Sequence, residues 1–166
     1  LKEDSQGVPL LFYIKRGSVE TNKYIIDNIE DFINVNYEQK NILTAQNQLI
    51  EYTLDRIPVK YINQKDLSGK NLFILLLENN PDLDSLSEKI KKTINKGLNL
   101  LDVTFTTSGR KLTNMEALTI KSPMITMNLI KDKYIFLNNE IKKEIYKGME
   151  FLENEPHLAN SLFKMF

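Results

Sequence analysis

One stretch near the middle of the chain limits the folds that the rest can adopt. Residues 66–73 read Asp-Leu-Ser-Gly-Lys-Asn-Leu-Phe, a polar turn that leads directly into an apolar segment. Gly69 can adopt positive φ in this turn, and the side chain of Asn71 can accept hydrogen bonds from the free amides at the start of a helix. The apolar residues of that helix are Leu72, Phe73, Leu75, Leu76 and Leu77. A helix with so much apolar surface is stable only between neighbouring elements.

Segments similar to this turn and helix start recur every 30 to 40 residues along the chain. They begin at Gly7, Lys40, Lys70 and Arg110, and a weaker copy begins at Lys143. Periods of this length are typical of repeat proteins, in which each unit buries its apolar face against the next one. The spacing therefore predicts a stack of similar short units.

The second half of each unit supports the same register. In the first unit, the residues that fit are Pro9, Leu10, Gly17, Ile25, Ile26 and Asn36. In the third unit, they are Asp66, Gly69, Gly97 and Asn99, with Asn71 at the helix cap. This pattern resembles the ankyrin repeat, in which a turn with Gly and a Thr-Pro-Leu-His sequence precede two short helices and a closing Asn.

The resemblance covers nearly the whole chain and implies an all-α fold. The expected architecture is an ankyrin-like helical solenoid of stacked helix-turn-helix repeats with short β-hairpin or loop connections. It implies one domain over residues 1–166, which is an ordinary domain length. The expected units are residues 6–36, 37–65, 66–105 and 106–138, with a C-terminal capping unit at 139–166. The register of the fourth unit is left open by a residue or so.

The third unit is longer than the others. We assign five of its extra residues, 81–85, to a loop between its two helices, with Ser85 as the N-cap of the second helix and Gly97 at its end. Because extra loop length costs little free energy, we expect deletion of this loop to be tolerated. The predicted helices of the whole chain span residues 10–16, 20–28, 42–46, 49–56, 72–79, 86–96, 115–121, 124–131, 139–154 and 156–166.

Charge balance and composition argue against several classes of function. The chain has 22 basic and 22 acidic residues, whereas nonspecific binding to nucleic acid or to an anionic membrane needs a basic excess. It has no cysteine, and therefore no disulfide, no thiolate zinc site and no cysteine nucleophile. It also lacks an apolar run of about 20 residues, the length that spans a membrane.

The residues that most often carry catalysis or bind metals are few. His157 is the only histidine and follows Pro156 at a predicted helix start, so a histidine-based acid–base pair or metal cluster is not expected. Asp82 and Asp84 are better explained as helix caps than as calcium ligands, because their segment lacks the Gly and the distal Glu of an EF-hand. We therefore expect no cofactor, no metal and no enzymatic activity.

The resemblance implies that the chain binds a partner protein, of unknown identity, through the concave face of the stack. That face combines inner-helix surfaces with hairpin tips, and aromatic residues and Arg are the usual energetic anchors in such surfaces. The inner-helix candidates are Phe12, Lys15, Arg16, Leu75, Glu78 and Asn79. The hairpin-tip candidates are Tyr37, Glu38, Gln39, Leu67, Ser68, Lys70, Phe105, Thr107 and Arg110.

Two alternatives stay open. A nucleotide- or RNA-binding array would need Lys and aromatic residues at one spot, and the set Lys15, Arg16, Tyr37 and Lys70 could supply it. A structural spacer would instead pack against other parts of its own chain. Because the sequence begins at Leu1 without Met and without an apolar signal segment, we expect a piece of a longer protein. A cytoplasmic location is favoured, and secretion by an intracellular microbe is the alternative.

Overall fold

A computed structural model of the chain describes residues 5–6, 27, 36–37, 40–41, 50–80 and 82–166. This part of the chain is mostly helical, with short β-hairpins. Apart from residues 6, 27 and 36, the first predicted unit lies outside the described residues, and so do residues 38–39 and 42–49 of the second. The predicted helices over 10–16 and 42–46, and all of 20–28 except residue 27, are therefore not described.

The hairpins are antiparallel pairs of two or three residues per strand. Asn36 lies opposite Asn41 in the first, and Thr104 lies opposite Leu112 in the second. In chain order the described elements are β1 (Asn36–Tyr37), β2 (Lys40–Asn41), α1 (Ile50–Arg56), a 3-10 turn (Val59–Tyr61), α2 (Leu72–Asn79), α3 (Leu83–Asn95), β3 (Val103–Phe105), β4 (Lys111–Thr113), α4 (Asn114–Lys121), α5 (Pro123–Lys131), α6 (Asn139–Met149) and α7 (Pro156–Phe163).

The central helices α2 to α5 contact both a neighbour in the chain and a helix two positions away. α2 packs against α3 and also against α4, and α4 packs against α5 and α6. In the same way α3 contacts both α1 and α5, and α5 contacts α7. Two layers of helices result: α2, α4 and α6 form the first layer, and α1, α3, α5 and α7 form the second.

The core lies between these layers and is most complete around α2. Residues 72–77 are all buried, and Phe73 and Leu76 have no exposed surface. This confirms the predicted burial of Phe73, Leu76 and Leu77. The helix is short and its neighbours lie on several sides, so nearly every apolar side chain finds a partner. Leu118 of α4 and Ile145 of α6 continue the same core.

The local signals at the start of α2 are confirmed. Gly69 has φ of +80°, and the side chain of Asn71 accepts a hydrogen bond from the amide of Ile74 at 3.0 Å. α4 begins in the same way, since the Thr113 hydroxyl accepts from the amide of Glu116 and the Glu116 carboxylate accepts from the amide of Thr113. This arrangement is a capping box, which satisfies two amides that the helix leaves free.

These caps correct the sequence register of the later units. Thr113 is the N-cap of α4, as Asn71 is the N-cap of α2. The alignment of Arg110 with Lys70 places this cap at Lys111, so the predicted fourth unit starts two residues too early. The weak copy at Lys143 is wrong, because Lys143 lies inside α6 and the N-cap of that helix is Asn138. Short similar segments occur by chance within a helix, whereas a cap marks its physical start.

The segment predicted as an added loop is partly helical. α3 begins at Leu83, and Asp82 caps it by accepting a hydrogen bond from the amide of Asp84 at 3.2 Å. Ser85 is therefore not the N-cap but lies in the first turn of the helix. Because Asp caps as well as Ser does, the helix gains an extra turn. A deletion of 81–85 would remove that turn and its cap, so it would not be the harmless loop deletion that the sequence predicts.

The other helix ends agree with the sequence to a varying degree. α3 ends just before Gly97, which has φ of +92° and terminates the helix as predicted. α6 ends at Met149 rather than at residue 154. The α-helical hydrogen-bond pattern stops there, because the amides of Phe151 and Leu152 donate to backbone oxygens three residues earlier, not four. α7 ends at Phe163.

α4 and α6 approach each other very closely at Gly148. A Cβ atom built on Gly148 would lie 2.7 Å from the Cβ of Thr119 and 3.2 Å from the backbone oxygen of Glu116. Glu144, one turn earlier on α6 and 7% exposed, accepts a hydrogen bond from the Thr113 hydroxyl at 3.0 Å. The absence of a side chain at residue 148 thus allows the two helices of the first layer to pack with their backbones close together.

Candidate binding cleft at the β3–β4 hairpin

The tip of the β3–β4 hairpin, residues 106–110, is held by its own hydrogen bonds. The amide of Thr106 donates to the oxygen of Arg110 at 2.9 Å, and the amide of Arg110 donates to the Thr106 hydroxyl oxygen at 3.0 Å. Gly109, with φ of +81°, closes the turn through a hydrogen bond to the oxygen of Thr106. The Thr106 and Ser108 hydroxyls are 2.9 Å apart and form a further hydrogen bond. The tip is therefore a defined structure that can position side chains.

The tip also contacts the C-terminal end of α2. The amide of Thr107 donates to the Glu78 carboxylate at 2.7 Å, and the Thr107 hydroxyl donates to the second oxygen of the same carboxylate. Lys70 donates from its Nζ to the Thr107 hydroxyl oxygen at 3.4 Å. The hairpin thus bends over the first layer of helices and is attached to α2.

The base of the hairpin rests on the turn that precedes α2. The amide of Phe105 and the hydroxyl of Thr104 both donate to the backbone oxygen of Gly69, at 3.1 and 3.2 Å. The turn is itself ordered by Asp66, whose Oδ1 accepts from the amides of Ser68 and Lys70 and from the Ser68 hydroxyl. The turn before α2 and the β3–β4 hairpin are therefore hydrogen-bonded to each other.

On its other side the tip reaches past α4 toward the end of α6. The guanidinium carbon of Arg110 lies 4.0 Å from the centre of the Phe151 ring, a cation–π contact. Phe151 follows α6 and is 45% exposed. The tip therefore spans the first layer from Glu78 on α2 to Phe151 after α6.

A cleft of about 330 Å³ lies between the tip and the helices α2 and α4. Its apolar wall consists of Ile74, Leu77, Leu112, Ala117 and Ile120. Its polar rim consists of Glu78, Thr106, Ser108, Arg110 and Lys121. Cavities that are mostly apolar and carry a few convergent polar groups are typical of ligand sites, and the volume lies at the lower end of their usual range of about 300–1,000 Å³.

The charges on the rim are used unequally. Both oxygens of the Glu78 carboxylate accept hydrogen bonds from Thr107. Arg110 and Lys121 are exposed, and within the described part of the chain neither side chain has an ion pair or a hydrogen bond. The cleft therefore presents two cations that have no ion pair or hydrogen bond with any described residue.

Apart from Leu75, the sequence-predicted residues with described side chains fall into three groups. Glu78 and Arg110 line the cleft. Lys70, Phe105 and Thr107 form the contact between hairpin, turn and α2 that borders it. Leu67, Ser68 and Asn79 lie outside the cleft: Leu67 is 71% exposed in the turn, Ser68 bonds to Asp66, and Asn79 donates to the oxygen of Leu75.

One inner-helix candidate is wrong and several lie outside the described residues. Leu75 is only 6% exposed and belongs to the core, since α2 has neighbours on several sides. The side chains of the predicted candidates Phe12, Lys15, Arg16, Tyr37, Glu38 and Gln39 are not among the described ones.

Sequence reasoning missed Ile74, Leu77 and Lys121 of the cleft wall and rim, and Phe151 beside it. Leu77 is one of the apolar residues that the sequence assigns to the core, and Ile74 lies among them in the chain. Lys121 carries a weak signal, because it is the basic residue in the last turn of α4. Phe151 carries none, since only the stacking of α6 brings it to the hairpin.

The residues suggested for a nucleotide or RNA site are not seen to converge within the described part of the chain. Of the residues suggested for a nucleotide or RNA site, only Lys70 has a described side chain, and it bonds to Thr107. Among the described residues there is no group of three metal-ligating side chains. None of the helices in the described ranges is long and apolar enough to cross a membrane.

Comparison of the chain with protein-family models, with curated proteins and with solved structures finds no match.

Proposed function

We propose that this chain is an ankyrin-like repeat module that binds a segment of a partner protein in the cleft between the β3–β4 hairpin and helices α2 and α4. Three features support the repeat architecture. Consecutive helix pairs contact one another in two layers. Each helix of the first layer begins with a side-chain cap, from Asn71, Thr113 and Asn138. A β-hairpin leads directly into α4.

The observation that carries the binding proposal is the cleft itself. It combines an apolar wall with the cations of Arg110 and Lys121, which form no ion pair with a described residue. These groups lie on a surface held by hydrogen bonds between the hairpin, the turn and α2. A surface that is already ordered loses little conformational entropy on binding. An apolar centre with charged groups at its edge is the usual composition of a protein interface.

The same cleft argues against catalysis. Among the described residues that line it, Glu78 is the only carboxylate, and there is no histidine. Its carboxylate already accepts hydrogen bonds from the backbone and the hydroxyl of Thr107. General acid–base chemistry needs a group that is free to exchange a proton with the substrate. We therefore propose binding, rather than acid–base catalysis by Glu78, as the function of this cleft.

The test is selection from a displayed library of random 12-residue peptides on the immobilised chain. The enriched peptides should bind Lys121→Ala and Arg110→Ala about tenfold more weakly or worse, the loss expected for a contact worth about 1.4 kcal/mol. The matched control is Lys131→Ala. Lys131 is also an exposed lysine in the last turn of its helix, but α5 belongs to the second layer.

Circular dichroism and the melting midpoint should stay nearly unchanged in all three variants, because the three side chains are exposed. If the selected peptides bind both cleft variants as tightly as the wild type, or lose affinity equally for Lys131→Ala, the proposed cleft is not the binding site. Tyr37→Ala extends the test to the predicted tip of the β1–β2 hairpin, where the sequence predicts a similar loss.

A further inference from the structure

We infer that the cleft recognises an acidic side chain next to an apolar one in the bound segment, so that the partner is a protein with an Asp or Glu beside a Leu-type residue. The inference rests on the proposed function and adds the chemistry of the ligand. It follows from the charges at the rim, from the way Arg110 is held, and from the apolar wall.

The rim carries more positive than negative charge. Among the described lining residues two side chains are cationic, Arg110 and Lys121, against the single carboxylate of Glu78. Glu78 lies on the α2 side and is hydrogen-bonded through both oxygens to the hairpin tip. It forms no ion pair with either cation. A ligand carboxylate would therefore find two opposite charges near it and one like charge that is already engaged by other donors.

Arg110 is positioned to bind a carboxylate. Its guanidinium lies against the ring of Phe151 at 4.0 Å, and this contact restricts a side chain that is otherwise flexible. The N–H groups at the edge of the guanidinium donate to no other described residue. A planar guanidinium with free donors can bind a carboxylate through two parallel hydrogen bonds. Because the stacked side chain has fewer conformations to lose, more of the interaction energy appears as affinity.

The wall supplies the second part of the specificity. Ile74 and Leu77 of α2 and Ala117 and Ile120 of α4 line the same cleft as the two cations. Ile74, Leu77 and Ala117 are only 1%, 2% and 6% exposed. An apolar side chain adjacent to the acidic one would therefore contact mainly the half-buried Ile120. The volume of about 330 Å³ suits individual side chains of a segment rather than a folded domain.

The test uses three capped hexapeptides, acetylated and amidated so that their ends are uncharged. The first is Gly-Leu-Glu-Leu-Glu-Gly, the second has Gln in place of Glu, and the third has Ala in place of Leu. Each is titrated into the uniformly labelled chain while backbone amide shifts are followed by NMR. The first peptide should shift the amides of Ser108, Arg110 and Ile120. The Gln peptide should bind about tenfold more weakly, which corresponds to one charge-assisted hydrogen bond.

The difference in affinity between the Glu and Gln peptides should become smaller when the salt concentration rises from about 0.05 M to about 0.5 M, because screening weakens exposed charge pairs. It should also shrink in Arg110→Gln and in Lys121→Gln and persist in the control Lys131→Gln. The third peptide, with Ala in place of Leu, should bind more weakly than the first peptide to every variant.

Equal binding of the Glu and Gln peptides at the cleft overturns the acidic preference and leaves the proposed function standing. Absence of shifts at the cleft with all three peptides overturns the inference, while the library selection decides the proposed function independently. The same titration is made with an RNA of eight uridines. If this RNA shifts the cleft amides more strongly than the Glu peptide does, the inferred acidic peptide is wrong and the cleft binds nucleic acid.

Discussion

The side-chain amide of Asn71 donates a hydrogen bond of 3.1 Å to the side-chain oxygen of Asn114, and both residues are fully buried. Asn71 is the N-cap of α2, and Asn114 is the first residue of α4. The side-chain amide of Asn114 in turn donates to the backbone oxygen of Asn99 at 2.8 Å. The pair therefore ties the starts of two stacked helices together and determines how one helix pair lies against the next.

We expect Asn71→Ala to lower the free energy of unfolding by about 2–4 kcal/mol. The loss of a helix cap costs about 1 kcal/mol, and a buried polar group deprived of a partner, here Asn114, adds about 1–3 kcal/mol. Urea denaturation measures the total. The matched control is Asn138→Ala, which removes the exposed cap of α6 and should cost only about 1 kcal/mol. Equal losses would mean that the buried pair contributes nothing.

Leu76→Ala should destabilise the protein by about 2–5 kcal/mol, the usual range for emptying a packed core site. Leu76 has no exposed surface and belongs to α2, which contacts both α3 and α4. The control is Leu67→Ala, since Leu67 is 71% exposed and its truncation should change stability by no more than about 0.5 kcal/mol. A harmless Leu76→Ala would contradict the central position of α2.

Gly69→Ala should be more damaging than Gly109→Ala. Both residues have nearly the same positive φ, +80° and +81°, so both variants carry a backbone strain of about 1–2 kcal/mol. At Gly69, however, the new Cβ would lie 2.5 Å from a ring carbon of Phe105, whereas at Gly109 no atom lies within 4 Å. Overpacking of this kind costs about 1–3 kcal/mol more. In a Phe105→Ala background, chemical denaturation should give similar losses for the two glycine variants, and a persistent difference would exclude the ring as its cause.

Gly148→Ala should destabilise the chain, although alanine normally stabilises a helix by about 1 kcal/mol relative to glycine. The added Cβ would lie 2.7 Å from the Cβ of Thr119 across the α4–α6 contact, so the helices must separate. The reference is Asn160→Ala at an exposed site of α7, where the propensity gain should appear alone. A higher melting midpoint for Gly148→Ala would show that α4 and α6 are less tightly packed than described.

Alkaline pH should weaken the protein through Lys147. The hydrogen bond of 2.7 Å that Lys147 donates to Glu144 raises the pKa of the lysine above its ordinary value of 10.5. Between the unfolded and the raised folded pKa the folded state binds more protons, so the stabilisation is complete below pH 10.5 and is lost as the pH rises through the folded pKa. Urea midpoints measured across this interval should fall less steeply for Lys147→Met and for Glu144→Gln than for the wild type. Identical pH dependence in all three proteins would show that the Lys147–Glu144 hydrogen bond does not cause the loss of stability at alkaline pH.

The parts of the fold that sequence reasoning predicted are those with a local cause. The cap at Asn71, the positive φ of Gly69 and the buried face of α2 involve residues within about one helical turn, and all three are confirmed. The sequence-based prediction was wrong where two nearby residues could each cap the same helix. Asp82 and Ser85 are both good caps, and the structure uses Asp82, so a loop predicted from the spacing became part of a helix.

The residues of the cleft could also be predicted from the sequence only in part. Glu78 and Arg110 were predicted as contact residues because the repeat pattern assigns them to the inner surface and to a hairpin tip. Nothing in the sequence indicates that Lys121 shares their cleft or that Phe151 holds the guanidinium of Arg110. These residues are far apart in the chain and meet only when the helices of the first layer are stacked.

The sequence by itself determined the local features around α2: the turn at Gly69, the cap at Asn71 and the apolar residues that make this helix too apolar to stand alone. Only the tertiary structure decided how the helix pairs join. The hydrogen bond between Asn71 and Asn114, the close approach at Gly148 and the attachment of Thr107 to Glu78 all connect different helix pairs. Caps and turns depend on neighbours along the backbone, whereas these contacts depend on the distance and angle between helices, which the side chains of the whole stack set together.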